Sequence, residues 1–104
     1  DSAEEDQLYT EGARIAEELG DERLRASITI PYGFCVSMRG DERGRERIGR
    51  ETYDRAMALG DRQLALMALV PLTGSLHVRG KLRELARLLA HHEHDLEPAS
   101  RDES

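Results

Sequence analysis

Glycine returns every twentieth residue, at Gly20, Gly40, Gly60 and Gly80, and the first three are each followed by aspartate (Asp21, Asp41, Asp61), the fourth by Lys81. Glycine after a helical run supplies the left-handed residue that ends a helix, and the aspartate behind it can accept from the free N–H groups opening the next one. Each Gly-Asp step therefore reads as a tight turn between two helices. Asp1, Glu11, Ala16, Leu19, Gly20, Asp21, Leu24, Pro31, Arg39, Gly40, Arg43 and Arg47 all recur forty residues on. That is about three times the number of identities that composition alone would give at this offset, as expected of an internal repeat. The unit is a forty-residue helix pair, spanning 1–40 and 41–80 with a partial copy at 81–96. The expected fold class is all-α, a right-handed antiparallel helix-pair solenoid of five helices.

Apolar spacing agrees with that division. Leu8, Gly12, Ile15, Ala16 and Leu19 share a stripe on the first helix, opened by Ser2-x-x-Glu5 in the pattern of a capping box. The second helix lines up Leu24, Ile28, Pro31, Cys35 and Met38, and the same slots of the fourth hold Leu64, Ala68, Pro71, Ser75 and Val78. The fourth helix is apolar nearly all round, which predicts burial between neighbours. The third carries only a thin stripe of Ile48, Thr52, Ala56 and Leu59. The fifth, over residues 82–94, places Leu82, Leu85, Leu88, Leu89, His92 and, just beyond it, Leu96 on one side, and the tail 97–104 has too few apolar residues to pack and is expected to be disordered. Pro31 and Pro71, at one register, predict a kink in the second helix of each pair. Gly33 and Gly74 beside them would admit a neighbouring backbone.

Charge and cysteine content narrow the function. A net charge of −6 disfavours nucleic acid and anionic membranes as partners. The longest apolar stretch, Leu64 to Leu72, is far short of the roughly 20 residues that cross a bilayer. A single cysteine, Cys35, forms no intrachain disulfide, and the charged opening Asp1–Asp6 does not resemble a leader; a cytoplasmic setting is expected. Cys35 itself reads as a buried structural thiol and His77 as a packed or rim histidine.

No constellation of residues points to catalysis. His91, His92 and His94 have metal-ligand chemistry, but at 100° per residue they diverge around a helix, so neither a metal site nor any other cofactor is expected. Arginine supplies all but one of the basic residues. On the third helix Glu46 and Arg50, Arg47 and Glu51, and Glu51 and Arg55 stand at i,i+4 and should pair. Arg43 and Arg47 recur as Arg83 and Arg87, and these four, on adjacent helices, form the candidate partner-binding patch, suited to an acidic peptide or carboxylate.

Leu8-Tyr9-Thr10-Glu11-Gly12, Ala16-Glu17-Glu18-Leu19-Gly20-Asp21, Tyr32-Gly33, Ala56-Met57-Ala58-Leu59-Gly60-Asp61 and Gly80-Lys81-Leu82-Arg83-Glu84-Leu85 together resemble the tetratricopeptide-like regulatory region of large bacterial adenylate or guanylate cyclases. The resemblance covers residues 5 to about 90 and implies a non-enzymatic scaffold or regulatory module within a multidomain signalling protein. Its partner would be a protein, a peptide or another domain of the same chain. Similar punctuation occurs in ATP-dependent transcriptional regulators with helical repeats, and a small-ligand sensor at the kinks near Pro31 and Pro71 is the alternative from another class. Helical arrays usually need about three units to bury their faces. Two and a half units predict a piece of a larger protein that self-associates through its ends or is marginally stable alone.

Overall fold

The computed structural model describes residues 1–94, in five helices: α1 (Ser2–Leu19), α2 (Glu22–Met38), α3 (Glu42–Leu59), α4 (Arg62–Val78) and α5 (Leu82–His91). No strand occurs among the described residues. The expected tail, 97–104, lies outside them. The bounds of α1 and α2 recur forty residues later as those of α3 and α4, as the sequence spacing requires.

The turns are built by the expected chemistry. The four punctuating glycines have φ of 66°, 86°, 71° and 72°, a region where a Cβ would be strained. At each turn the residue after the glycine donates its N–H five residues back into the finished helix: Asp21 to the Ala16 carbonyl, Asp41 to Val36, Asp61 to Ala56 and Lys81 to Leu76. The carboxylates of Asp21, Asp41 and Asp61 then accept from the N–H groups of Leu24, Gly44 and Leu64 at 2.9–3.1 Å. Lys81 has no side-chain cap to offer α5. In α1 the cap is Asp1, accepting from Glu4, and the Ser2-Glu5 box is not used.

Antiparallel pairing follows from these turns. Tyr9 stacks on Tyr32 with ring centroids 4.0 Å apart, Gly12 faces Ile28, and Asp6 binds Arg39, so α1 and α2 run in opposite directions. Shifted by forty, the same places bring Gly49 against Leu72 and Glu46 to Arg79. Each helix packs on its neighbour in the chain, and α2 also packs on α4. The backbones of α1, α3 and α5 stay more than 8 Å from one another. Long ion pairs bridge that layer: Arg55 to Glu17 at 3.3 Å and Arg50 to Glu84 at 2.5 Å.

The core lies around α3 and α4 and consists of Ala26, Tyr53, Ala56, Leu64, Ala65, Ala68, Leu69, Leu72 and Leu76. Two helix backbones come close at Gly49, where a Cβ would lie 3.3 Å from the backbone of Leu72. The expectation that Gly33 and Gly74 admit a neighbouring backbone fails, because Gly33 meets the Ile48 side chain and Gly74 the Arg45 guanidinium.

Burial differs from the sequence expectation where a helix has a neighbour on one side only. In α2 the buried residues are Arg25, Ala26, Thr29, Gly33 and Val36, which face α3 and α4, whereas Leu24, Pro31 and Met38 of the expected stripe are exposed. In α1 only Ala16 is buried, and Leu8, Ile15 and Leu19 are exposed. The α4 slots hold better: Leu64, Ala68, Pro71 and Ser75 are buried, but Met67, Val70 and Val78 leave one side of that helix open. No α5 residue is buried, and Leu82 and Leu89 face solvent. Both helices run unbroken through their prolines. The carbonyls deprived of a donor belong to Ser27 and Met67, which are exposed residues within reach of water.

Candidate functional site

Glu46 organises the surface between α3 and α5. Its side chain is 9% exposed and lies 2.9 Å from Arg79, 3.0 Å from Lys81 and 3.7 Å from Arg50. Burial pushes the carboxyl up, but the Lys81 hydrogen bond and the charges of Lys81, Arg79 and Arg50 outweigh it and hold the group below its ordinary value. Arg50 continues to Glu84, whose own carboxyl is lowered chiefly by that hydrogen bond. Lys81, unable to cap α5, thus ties the last turn to α3. The first unit has the equivalent contact in Asp6, which accepts from Arg39 at 2.8 Å and from the Tyr32 hydroxyl at 2.5 Å.

Arg43, Arg47, Arg83 and Arg87 are all exposed around this network. Arg47 lines a shallow depression with Glu46, Arg50, Glu51, Asp54 and Arg55, and Arg83 and Arg87 line another with Lys81, Leu82 and Glu84. The Arg50–Glu84 bridge joins the two depressions, and Arg43 stands at the first turn of α3. Among the described residues no carboxylate comes within 4 Å of any of the four. Arg14, Arg23, Arg25, Arg39, Arg45, Arg50, Arg55 and Arg79 all have one within that distance, and Arg62 is engaged as well. Of the three expected i,i+4 pairs, Glu46–Arg50 and Glu51–Arg55 form at 3.7 and 4.0 Å, but Arg47–Glu51 does not, because Glu51 turns to Arg25 at 3.1 Å.

The other candidate residues have structural surroundings. His92 is buried, with Nε2 2.5 Å from the Tyr53 hydroxyl, while His91 and His94 are exposed. Among the described residues no three histidine, cysteine or acidic side chains converge in a way that could hold a metal ion. His77 is exposed, at the rim. Cys35 is half-buried rather than interior, and the Glu5 carboxylate beside it, accepting from the thiol, pushes its pKa up, which keeps it a weak nucleophile. Pro31 lines an open cleft of about 250 Å³ with Tyr9, Ile28 and Tyr32, whereas Pro71 is buried, so the two prolines do not build a repeated pocket. No helix among the described residues is long and apolar enough to cross a membrane.

One surface went unnoticed in the sequence. From Ser27 to Met38 the exposed residues of α2 are Ser27, Pro31, Phe34 and Met38, and from Gln63 to Val78 those of α4 are Gln63, Met67, Val70, His77 and Val78, all without formal charge. Arg45 of α3 reaches between the two helices, its guanidinium carbon 5.5 Å from the Phe34 ring centroid and one Nη 3.1 Å from where a Cβ on Gly74 would lie. The repeat register marks this surface, since Phe34 and Gly74, and Met38 and Val78, are forty residues apart.

Comparison with protein-family models, with curated proteins and with solved structures returned no match.

Proposed function

We propose that the chain is a helical-repeat interaction module, a TPR-like right-handed solenoid segment, that acts by protein contact rather than by catalysis within a multidomain cytoplasmic signalling protein of the cyclase type. Helix bounds, turns and internal contacts that recur at forty residues support the repeat reading. Such arrays present extended surfaces built from equivalent positions of successive units. The observation that carries the binding assignment is that Arg43, Arg47, Arg83 and Arg87, two equivalent pairs, are exposed with no carboxylate within 4 Å among the described residues, in a chain where acidic residues outnumber basic ones. Guanidinium groups so placed suit the carboxylates of an acidic peptide. The test is fluorescence anisotropy of a labelled Asp/Glu-rich 12-residue peptide against the intact chain and the Arg43→Gln/Arg47→Gln/Arg83→Gln/Arg87→Gln variant. Salt-sensitive binding to the parent that is lost in a variant of unchanged circular dichroism is expected. Equal binding by both would remove the assignment.

A further inference from the structure

We propose that this chain stacks on copies of itself, the outer flank of α1 in one copy seating on the outer flank of α5 in the next. The inference rests on the reading of Arg83 and Arg87 as carboxylate-binding groups and names their partner. Within the layer of α1, α3 and α5, Glu17 of α1 and Glu84 of α5 both turn inward, to Arg55 and Arg50 of α3. At about 100° per residue, the opposite side of α1 carries Leu8, Ile15 and Leu19, and the opposite side of α5 carries Leu82, Ala86 and Leu89, all exposed. Leu8 keeps 66% of its surface in water, Leu19 67% and Leu82 59%. Two apolar rows thus stand at opposite flanks of one layer, with α3 between them, and do not meet within a copy. Apolar rows rimmed by charge in this way mark contact surfaces.

Charge selects the pairing. Glu4, Glu11 and Glu18 run beside the apolar row of α1, and Arg83 and Arg87 beside that of α5. α1 has six acidic residues against Arg14 alone, and Glu11 and Glu18 share that arginine at 2.5 and 2.6 Å, so the row stays net negative. Packing α1 on α1 would set glutamates against glutamates, and α5 on α5 would set arginines against arginines. Only α1 on α5 joins apolar row to apolar row with opposite charges alongside. The orientation agrees. Tyr9 of α1 stacks on Tyr32 of α2, Leu85 and Leu88 of α5 pack against the core, and on each helix the charged row stands roughly opposite. Both charged rows therefore lie on the side of the layer turned away from α2 and α4. A copy displaced along the layer without turning over brings Arg83 and Arg87 to the same edge as Glu4, Glu11 and Glu18. Such a contact joins unlike flanks, leaves one of each kind free on every pair and so grows past the dimer.

The test is sedimentation equilibrium of the intact 104-residue chain over a concentration series, for the parent, Glu4→Arg/Glu11→Arg and Arg83→Glu/Arg87→Glu. The parent's mean mass should rise beyond that of a dimer and fall with added salt. Each variant alone sets like charges together and should associate at least tenfold more weakly, whereas the two mixed in equal amounts should regain parental strength. Should either variant lose its helical circular dichroism, methyl resonances of the unaltered chain decide: those of Leu8 and Ile15 and those of Leu82 and Leu89 should shift together as concentration rises. A monomer throughout, a mass that stops at the dimer, undiminished association of either variant alone, a mixture no better than its components, or shifts confined to one flank would each overturn the inference. Acidic-peptide binding by a chain that stays monomeric would overturn this inference alone, whereas a chain that assembles but leaves the peptide unbound would remove the peptide reading.

Discussion

Glu46→Gln is the most informative single change in this chain. The substitution keeps shape and one acceptor oxygen but removes the charge that gathers Arg79, Lys81 and Arg50. A hydrogen bond to a charged group is worth about 1.5–3 kcal/mol, and breaking a fully buried pair costs about 3–5 kcal/mol. Arg79, Lys81 and Arg50 keep 24–38% of their side-chain surface in water, so the lower part of that range applies. The expected loss is about 2 kcal/mol, which for a domain of this size lowers Tm by about 8–16 °C. The pH dependence carries an independent signature. The folded carboxyl sits below its ordinary value of 4.5, so its contribution is fully present above 4.5 and disappears as pH falls through the folded pKa. Urea unfolding of both proteins between pH 7 and pH 3, followed by circular dichroism at 222 nm, should show a gap that is constant from pH 7 to about 5 and then closes. A gap under about 0.5 kcal/mol at pH 7, or one unchanged at pH 3, would mean that the cluster is surface decoration.

Other outcomes follow from named contacts. Gly49→Ala gains about 1 kcal/mol of helix propensity but drives a methyl group into the α4 backbone at Leu72, so a net loss of about 1 kcal/mol is expected on denaturation. Tyr53→Phe removes the hydroxyl that meets His92 and should cost about 1 kcal/mol, with hydrogen exchange accelerated first in α5. Asp61→Ala should lower Tm more than Asp21→Ala, because Asp61 both caps α4 and binds Arg23 of α2 at 3.1 Å; equal effects would show that the inter-unit pair contributes nothing. Exposed Leu82 and Leu89 predict association that rises with protein concentration in size-exclusion chromatography with light scattering, diminished by Leu82→Ser/Leu89→Ser; a robust monomer with a high Tm would count against the unit arithmetic.

Turns and helix limits were legible because their causes are local: a left-handed glycine and an aspartate cap need only the adjacent few residues. Which side of each helix is buried was less so, since it depends on where the next layer falls. The α2 interior is made of small and polar residues that hydrophobic periodicity passes over, and these satisfy themselves in ways only the fold reveals. Thr29 returns its hydroxyl to the Arg25 carbonyl at 2.7 Å, and Arg25 reaches Glu51 of the next helix. The forty-residue register singled out the four unpaired arginines, because equivalent positions share an orientation. It gave no warning of Arg45, whose environment is set by Phe34 and Gly74 from two other helices. Nor could spacing along one helix foresee that Glu51 would leave Arg47 for Arg25.

The unequal spacing of the two layers has a mechanical consequence. Where α2 meets α4 the backbones come within 8 Å of each other, whereas α1, α3 and α5 stay farther apart and are tethered across their gaps by the extended side chains of Arg55 and Arg50. Bending about the tight seam therefore stretches only ionic struts. Curvature in such an array is compliant in one direction and stiff in the other, and dissolved salt, by weakening the struts, is the natural agent that would set how far it opens.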